Sequence, residues 1–190
     1  MSSSYFTNPL EFLINTLFGL FILALMLRFL LAWVRADFYN PVSQFLVKIT
    51  NPVLVPLRRI VPSLGGIDIA AILLMLLFQM ISLTIILVLR GAGITPGTLV
   101  FWSLAELLTL AFNVFIFSIL IQVILSWINP GAYNPVISLL HSLNEPVLRP
   151  LRRMLPPISG IDLSPLLALL GLQVLKMLTI PLFTHLAFGT

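Results

Sequence analysis

Four long apolar stretches dominate this chain of 190 residues and alternate with polar segments. The apolar stretches run from Leu10 to Trp33, from Ile69 to Leu89, from Leu99 to Ile128 and from Leu163 to Ala187. At a rise of about 1.5 Å per residue, a helix made from any of them would cross about 30 Å of hydrocarbon. We expect the third, which exceeds that length, to tilt or to extend beyond the hydrocarbon. The pattern predicts an all-α membrane protein with four transmembrane helices.

The two longer connections, residues 34–68 and 129–162, each contain an amphipathic pattern after an Asn-Pro pair. Asn40 and Asn134 can cap a helix that begins with proline. The apolar face is predicted to hold Val42, Phe45, Leu46 and Ile49 in the first connection, and Val136, Leu139, Leu140 and Leu143 in the second. The polar face is predicted to hold Ser43, Gln44 and Lys48, and in the second connection Ser138, His141 and Ser142. We expect amphipathic interfacial helices that lie on the membrane surface.

A second Asn-Pro or Glu-Pro pair follows within each connection. Asn51 and Glu145 are predicted to begin a further segment, which Pro56 and Pro150 would bend. Asp68 and Asp162 come after a glycine turn and before the next span. We expect both carboxylates to cap these spans.

The chain is an internal duplication. At an offset of 94 residues, Trp33 to Gln79 align without a gap with Trp127 to Gln173, and 20 of the 47 paired residues are identical. The shared residues include prolines, glycines, arginines and aspartates, which hydrophobicity alone does not produce. We predict two tandem hairpin repeats, residues 1–94 and 95–190.

The composition and charge agree with a membrane location. Hydrophobic residues make up 59% of the chain and charged residues 8%, whereas soluble domains average about 45 to 50% and about 25%. Seven of the ten Lys and Arg residues lie in the two long connections: Arg35, Lys48, Arg58, Arg59, Arg149, Arg152 and Arg153. By the positive-inside rule we expect these connections in the cytoplasm and both chain termini outside.

Several classes of chemistry find no support in the sequence. The chain has no cysteine, which excludes thiolate nucleophiles and cysteine-ligated metals. His141 and His185 are predicted at opposite membrane surfaces and cannot share a site. We therefore expect no catalytic residues, no cofactor, no metal and no enzymatic activity.

The predicted spans contain a few polar residues. Gln79 and Gln173 are repeat-matched and lie near mid-membrane, where we expect them to meet at the axis between the repeats; they would either join helices by a hydrogen bond or line a permeation route. Glu106 and Lys176 are predicted to form an ion pair, because intramembrane charges are usually paired. Arg28 is expected to extend to the cytoplasmic border.

The two double arginines, Arg58 with Arg59 and Arg152 with Arg153, are predicted at headgroup depth. Anionic lipid is the first candidate ligand, since each interfacial cation gains about 1 kcal/mol near a negative leaflet. The acidic surface of a membrane-protein partner, or a second copy of the chain, is the alternative. We expect no nucleic-acid partner, because nearby stacking aromatics are missing.

These residues resemble the signature of the YggT family, also called YlmG. The matching residues are Tyr39-Asn40-Pro41, Pro52, Leu57-Arg58-Arg59, Pro62 and Gly66-Ile67-Asp68, with a second copy around Asn134-Pro135 and Leu151-Arg152-Arg153. The resemblance implies a multi-pass protein of the bacterial inner membrane. It also implies a link to osmotic stress and potassium uptake, or to division, nucleoid distribution or cytochrome assembly, without a known molecular activity.

Two hypotheses for function follow. In the first, the protein is a scaffold or membrane-organising factor that acts through its cytoplasmic helices and arginine pairs. In the second, it forms or modulates a potassium pathway during hyperosmotic stress. The concentration of repeat-matched residues in the connections favours the first hypothesis.

Overall fold

The structure, a computed structural model, describes residues 3–93, 95–128, 134–154 and 162–189, with side chains from residue 8 onward. Within these ranges the chain forms six helices: α1 (Ser3–Trp33), α2 (Pro41–Ile60), α3 (Ile69–Leu89), α4 (Pro96–Ile128), α5 (Pro135–Met154) and α6 (Ser164–Phe188). The predicted all-α class is confirmed.

Four of these helices, α1, α3, α4 and α6, are long and apolar enough to cross a membrane. Their candidate spans are Asn8–Trp33, Ile69–Leu89, Pro96–Ile128 and Ser164–Phe188, and each matches its prediction to within three residues. At about 1.5 Å per residue, the 33 residues of α4 measure about 50 Å, which exceeds the hydrocarbon thickness. The chain therefore has the helices of a multi-pass membrane protein.

The four long helices pack in the order α1, α3, α4 and α6. Helix α1 packs on α3 and α4 packs on α6 as two hairpins, and contacts between α3 and α4 join the hairpins. In the described part of the chain, α6 touches neither α1 nor α3. Most buried apolar residues, including Leu25, Leu54 and Leu74, cluster around the first hairpin. The second hairpin has a smaller cluster around Ile119 and Leu148.

Helices α2 and α5 lie together at one end of the bundle, which we call the α2/α5 end. Helix α2 packs on α1 and α3, and α5 packs on α4 and α6. Asn40 links the two helices, because its Nδ2 donates to the carbonyl of Pro135 at 2.7 Å while its Oδ1 accepts from the Val42 N–H at 3.0 Å. The Oδ1 of Asn134 accepts from the Ile137 N–H at 2.9 Å. Both asparagines thus sit at helix starts in capping geometry.

Two prolines lie inside each of these helices: Pro52 and Pro56 in α2, and Pro146 and Pro150 in α5. The prediction that new segments begin at Asn51 and Glu145 is wrong, because α2 and α5 continue through the prolines. Each proline removes a backbone donor and frees the carbonyl four residues earlier. These carbonyls belong to Lys48, Pro52, Ser142 and Pro146, none of which is a buried residue.

The buried side of α2 also differs from the prediction. Its buried residues are Ser43, Leu46, Thr50 and Leu54. The assignment of Ser43 to an exposed polar face is wrong, since Ser43 is 8% exposed and Phe45 is 60% exposed. The reason is that this side of α2 faces the polar Arg28 of α1, with which Thr50 forms a hydrogen bond. An exposed apolar stripe remains on α2: Phe45, Ile49, Val53 and Ile60.

Candidate functional site

The two arginines of each pair at the α2/α5 end have different environments. Arg58 donates from Nε to Oδ2 of Asp68 at 3.1 Å and adds a second bond from Nη2. Arg152 donates from Nε to Oδ2 of Asp162 at 3.0 Å. Arg59 and Arg153 are exposed and belong to no salt bridge among the described residues. The first arginine of each pair therefore anchors its helix to the next span, and the second arginine is available to a ligand.

A tight turn brings Asp68 back to Arg58. Gly65 and Gly66 have φ values of +60° and +83°, a left-handed conformation that glycine adopts without steric cost. The turn is closed by backbone hydrogen bonds in both directions between Leu64 and Ile67. Asp68 then accepts from the Ala71 N–H at 3.2 Å and caps α3. The corresponding turn of the second repeat, including Gly160, lies outside the described residues.

Asp162 holds a similar position before α6. Its Oδ1 accepts from the Ser164 N–H at 2.9 Å, so its carboxylate lies at the first turn although Leu163 is the formal cap residue. Burial acts to raise the pKa of this carboxyl, but the hydrogen bond from the Ser164 N–H and the hydrogen bond and charge of Arg152 outweigh it. The pKa of Asp162 is consequently lowered.

Arg28 connects α1 to α2 in the first repeat. Its Nη1 donates to Oγ1 of Thr50 at 2.6 Å and lies 3.5 Å from the Val47 carbonyl. The Thr50 hydroxyl donates in turn to the Leu46 carbonyl at 2.6 Å. We call this contact the first polar junction. It places the guanidinium of Arg28 at the α2/α5 end.

The second polar junction connects α4 to α5 at the equivalent positions, because Gln122 and Asn144 align with Arg28 and Thr50. Asn144 donates from Nδ2 to Oε1 of Gln122 at 2.7 Å, and its Oδ1 accepts from Ser118 at 2.6 Å. The Nε2 of Gln122 lies 3.0 Å from Nδ1 of His141. The side chains of Ser118, Gln122 and Asn144 are neutral, and each has a hydrogen-bond partner in this group.

Gln79 and Gln173 do not meet. Gln79 lies on α3 and is half-buried, whereas Gln173 is exposed on α6. Since α3 and α6 share no contact in the described residues, the expectation of a pair at a common axis is wrong. The four long helices pack in the order α1, α3, α4 and α6, and α4 therefore lies between the helices that carry these two repeat-matched side chains.

The predicted ion pair between Glu106 and Lys176 is also wrong. Lys176 donates to Oδ1 of Asn113 at 2.7 Å, and Glu106 accepts from the Trp102 indole at 3.2 Å. The Thr98 hydroxyl donates a hydrogen bond to the Ala187 carbonyl, so Thr98 of α4 and Ala187 of α6 lie at the same depth in the bundle. Lys176 lies eleven residues from Ala187 but Glu106 only eight from Thr98, so Lys176 is deeper and meets a residue further along α4.

A further ion pair joins the first hairpin at the end opposite α2 and α5. Arg90 donates from Nε and Nη2 to the two carboxylate oxygens of Glu11, at 2.9 Å and 2.6 Å. The hydrogen bond and charge of Glu11 raise the pKa of Arg90. This contact was not among the predictions from the sequence, although a carboxylate near the start of one span and an arginine after the end of the next indicated it.

No group of three or more His, Asp or Glu side chains in the described residues is arranged to hold a metal ion. The polar geometry of this part of the chain instead consists of helix caps, arginine contacts and the two polar junctions. These arrangements suit binding and anchoring.

Comparison with known proteins identifies the relatives of this chain. A family model described as CCB3/YggT matches residues 7–89 and 101–183, which include both hairpins. The chain belongs to the CCB3/YggT family. It is 46% identical over 171 residues to an uncharacterized protein of Pseudomonas aeruginosa, a match that covers 89% of this chain and 87% of that protein.

Two other members of the family are similar over most of their length. A Vibrio alginolyticus protein is 40% identical over 173 residues, which cover 90% of this chain and 93% of that protein. The YggT protein of Escherichia coli K12 is 37% identical over 182 residues, which cover 90% and 88%. Both are described as uncharacterized, and no solved structure matches the chain.

Sequence analysis of this YggT-family chain did not single out Thr50 or Asn144. Both are completely buried at repeat-matched positions. The offset of 94 residues pairs Thr50 with Asn144 and Arg28 with Gln122. Two positions that are polar in both repeats, one in a span and one in the following helix, were the signal that would have predicted their contact.

Proposed function

We propose that this protein is a non-enzymatic membrane-organising factor of the bacterial inner membrane. Its α2/α5 end faces the cytoplasm and binds anionic lipid headgroups through Arg59 and Arg153. The observation that carries the proposal is that the two arginines of each pair differ in their contacts. Arg58 and Arg152 are held by carboxylates, while Arg59 and Arg153, at matched positions on two joined helices, are exposed and outside every described salt bridge.

The distribution of charge supports the proposed orientation. The two long connections at the α2/α5 end carry seven of the ten basic residues of the chain, and Arg28 of α1 is an eighth at this end. Three of the described carboxylates at this end form salt bridges, all of them with Arg58 or Arg152: Asp68, Glu145 and Asp162. An excess of Lys and Arg is typical of cytoplasmic segments, and the cytoplasmic leaflet attracts such residues through its anionic lipids.

The exposed apolar stripe of α2 supports a location at the membrane surface. Phe45, Ile49, Val53 and Ile60 are between 36% and 79% exposed. Acyl chains would cover this stripe together with the exposed apolar side chains of the spans. A helix with an apolar exposed stripe and a cationic side is typical of an interfacial helix. In this arrangement, Arg59 is placed at headgroup depth.

Quenching of tryptophan fluorescence by brominated lipid tests this proposal. Trp33 and Trp127, exposed at the ends of α1 and α4, report on lipid at the α2/α5 end, and a Trp102→Phe background removes the third tryptophan. In mixed bilayers, we expect brominated phosphatidylglycerol to be preferred over brominated phosphatidylcholine. At about 1 kcal/mol per interfacial cation, the Arg59→Gln/Arg153→Gln variant should lower this preference by about fivefold or more.

The matched control is Lys48→Gln/Arg149→Gln, which removes the same charge from the same helices at positions that are not repeat-matched. We expect a smaller loss of preference for this variant. An equal loss in both variants would mean that lipid responds only to net charge and that Arg59 and Arg153 form no defined site. Unchanged lipid preference in both would favour a protein partner with an acidic surface.

The alternative function, a potassium pathway or a transporter modulator, has less support from the described residues. A pathway needs polar groups that replace the water around an ion. Gln79 and Gln173 lie on helices that do not pack together, and Lys176 is occupied by Asn113. Potassium flux through proteoliposomes that contain only this protein, lost in a Gln79→Ala/Gln173→Ala variant, would favour the alternative.

A further inference from the structure

A cavity of about 290 Å³ lies between α1 and α2 in the first repeat. Three arginines line it: Arg28, Arg35 and Arg58. The remaining wall includes the hydroxyl-bearing Ser43 and apolar side chains such as Leu31 and Phe38. Cationic donors on one side and apolar atoms on the other are what a small amphipathic anion requires.

The positive charge of this cavity is incompletely balanced by protein groups. Asp68 pairs with Arg58, but Arg28 and Arg35 belong to none of the salt bridges of the described residues. Arg28 uses only Nη1 for its bonds to Thr50 and Val47. Its Nε and Nη2 donors have no protein acceptor in the described part of the chain, so a ligand oxygen can occupy them.

Ser43 is one of three buried serines, with Ser103 and Ser164, whose hydroxyl has no hydrogen-bond partner among the described residues, and of the three it lines this cavity. It is 8% exposed. A buried hydroxyl without a partner costs about 1 to 3 kcal/mol. Because Ser43 lines the same cavity as the three arginines, an oxygen of a bound anion would relieve this cost.

The backbone at Arg35 is also unusual. Its φ of 55° is the only positive value at a described residue other than glycine. This conformation ends α1 in a common left-handed C-terminal motif, in which the Arg35 N–H donates to the Ala32 carbonyl and the Ala36 N–H donates to the Leu31 carbonyl. Here it directs the chain from α1 into the connection to α2, so that Arg35 joins Arg28 on the cavity wall.

We propose that this cavity binds one phosphate group, with Arg28, Arg35 and Arg58 as charged donors and the Ser43 hydroxyl as a neutral donor. Guanidinium groups match the oxygens of a phosphate in geometry and charge. The volume is enough for a phosphate with a small attached group. The phosphate can therefore come from a lipid headgroup at the cavity mouth or from a free phosphate in the cytoplasm.

The second repeat lacks such a site. Gln122 and Ile137 occupy the positions of Arg28 and Ser43, and only Arg152 remains from the described equivalents of the four donors. The second polar junction is already filled by its own hydrogen bonds. We therefore expect one phosphate per chain.

Calorimetric titration of the full chain in an uncharged maltoside detergent tests this proposal. The probes are inorganic phosphate and dihexanoyl-phosphatidylglycerol, a short-chain lipid. We expect saturable binding of one equivalent of at least one probe. Loss of a charge-assisted hydrogen bond, worth about 1.5 to 3 kcal/mol, should raise the Kd at least about tenfold in Arg28→Gln, and Ser43→Ala should raise it by about fivefold.

The two probes distinguish the sources of the phosphate. Binding of the lipid alone identifies a headgroup site, and binding of both with similar affinity identifies a free phosphate site. Lys48→Gln is the matched control, since Lys48 lies on α2 but does not line the cavity, and its Kd should equal that of the parent protein. Lys48 is also outside the proposed lipid-binding role of Arg59 and Arg153, so this control tests the cavity alone.

Two results would overturn the cavity site: saturable binding of neither probe, or affinity that is unchanged in both Arg28→Gln and Ser43→Ala. If Arg28→Gln does not fold, the exposed Arg35→Gln takes its place and should raise the Kd about tenfold.

Discussion

The two polar junctions occupy the same positions in two copies of one hairpin, yet they are opposites in chemistry. The first contains a guanidinium, one threonine and an adjacent cavity with an unpartnered hydroxyl. The second contains two amides, a serine and a histidine joined by three hydrogen bonds between 2.6 and 3.0 Å. The first copy leaves donors open, and the second copy uses its donors to hold α5 on α4.

This difference shows that the two copies of a duplicated hairpin can acquire different roles. Both copies keep the anchor between the last turn of the connection helix and an aspartate, Arg58 with Asp68 and Arg152 with Asp162. With the helix held in both copies, the buried junction is free to diverge. Charge without a partner is costly inside a protein. The first junction, which is cationic and has unused donors, therefore indicates a ligand. The second junction, whose amides and serine bond to one another, indicates a role in the stability of the packing of α5 on α4.

Exchanging the junction residues should produce the largest effect and is the strongest test of the comparison. Gln122→Arg introduces a charge among side chains that already satisfy one another, so we expect the free energy of unfolding to fall by about 3 kcal/mol. Arg28→Gln removes a charge beside an open cavity and should change it by less than about 1 kcal/mol. Denaturation in mild detergent, followed by tryptophan fluorescence, measures both. Equal losses would show that the junctions are energetically alike.

Isosteric removal of one polar group from each junction should give an intermediate effect. Asn144→Leu removes the donor to the Oε1 of Gln122 and one acceptor of the Ser118 hydroxyl at a completely buried position, and we expect a loss of about 2 kcal/mol. Thr50→Val removes one acceptor from Arg28, which can turn into the cavity, so the loss should be about 1 kcal/mol. The same denaturation assay applies. A larger loss for Thr50→Val than for Asn144→Leu would contradict the assignment of stability to the second junction.

The sequence was sufficient to predict the spans, the duplication and the capping residues, because these features depend on local composition and spacing. Contacts between elements were harder. The pairing of Lys176 with Asn113 depends on the relative depth of α4 and α6, and the separation of Gln79 from Gln173 depends on an open order of helices. The hydropathy of a segment indicates neither the relative depth of two helices nor the order in which helices pack. The burial of Ser43 was missed because an amphipathic pattern assumes an apolar contact surface, whereas α2 packs on Arg28.

The smallest expected effect concerns the contact between Arg152 and Asp162, which is the second-repeat copy of the anchor that both repeats share. The pKa of Asp162 is lowered in the folded protein. For a carboxyl whose pKa is lower in the folded state, the added stability is present above its unfolded pKa of about 3.9 and is lost as the pH falls through the folded value. The free energy of unfolding of the wild-type protein should therefore fall below about pH 4. Between pH 6 and pH 3, the Asp162→Asn variant should lose about 0.5 kcal/mol less of this free energy than the wild type. The difference is small because Asp162 is partly exposed.

Arg152→Gln sharpens this test, because it removes one of the groups that lower the pKa of Asp162 and keeps the hydrogen bond from the Ser164 N–H. Its dependence on pH should lie between those of the wild type and Asp162→Asn. If Asp162→Asn retains the full dependence on pH, the carboxylate contributes nothing to the second anchor. The second repeat would then depend on its neutral junction alone, and the contrast with the first repeat would extend from the buried junction to the anchor itself.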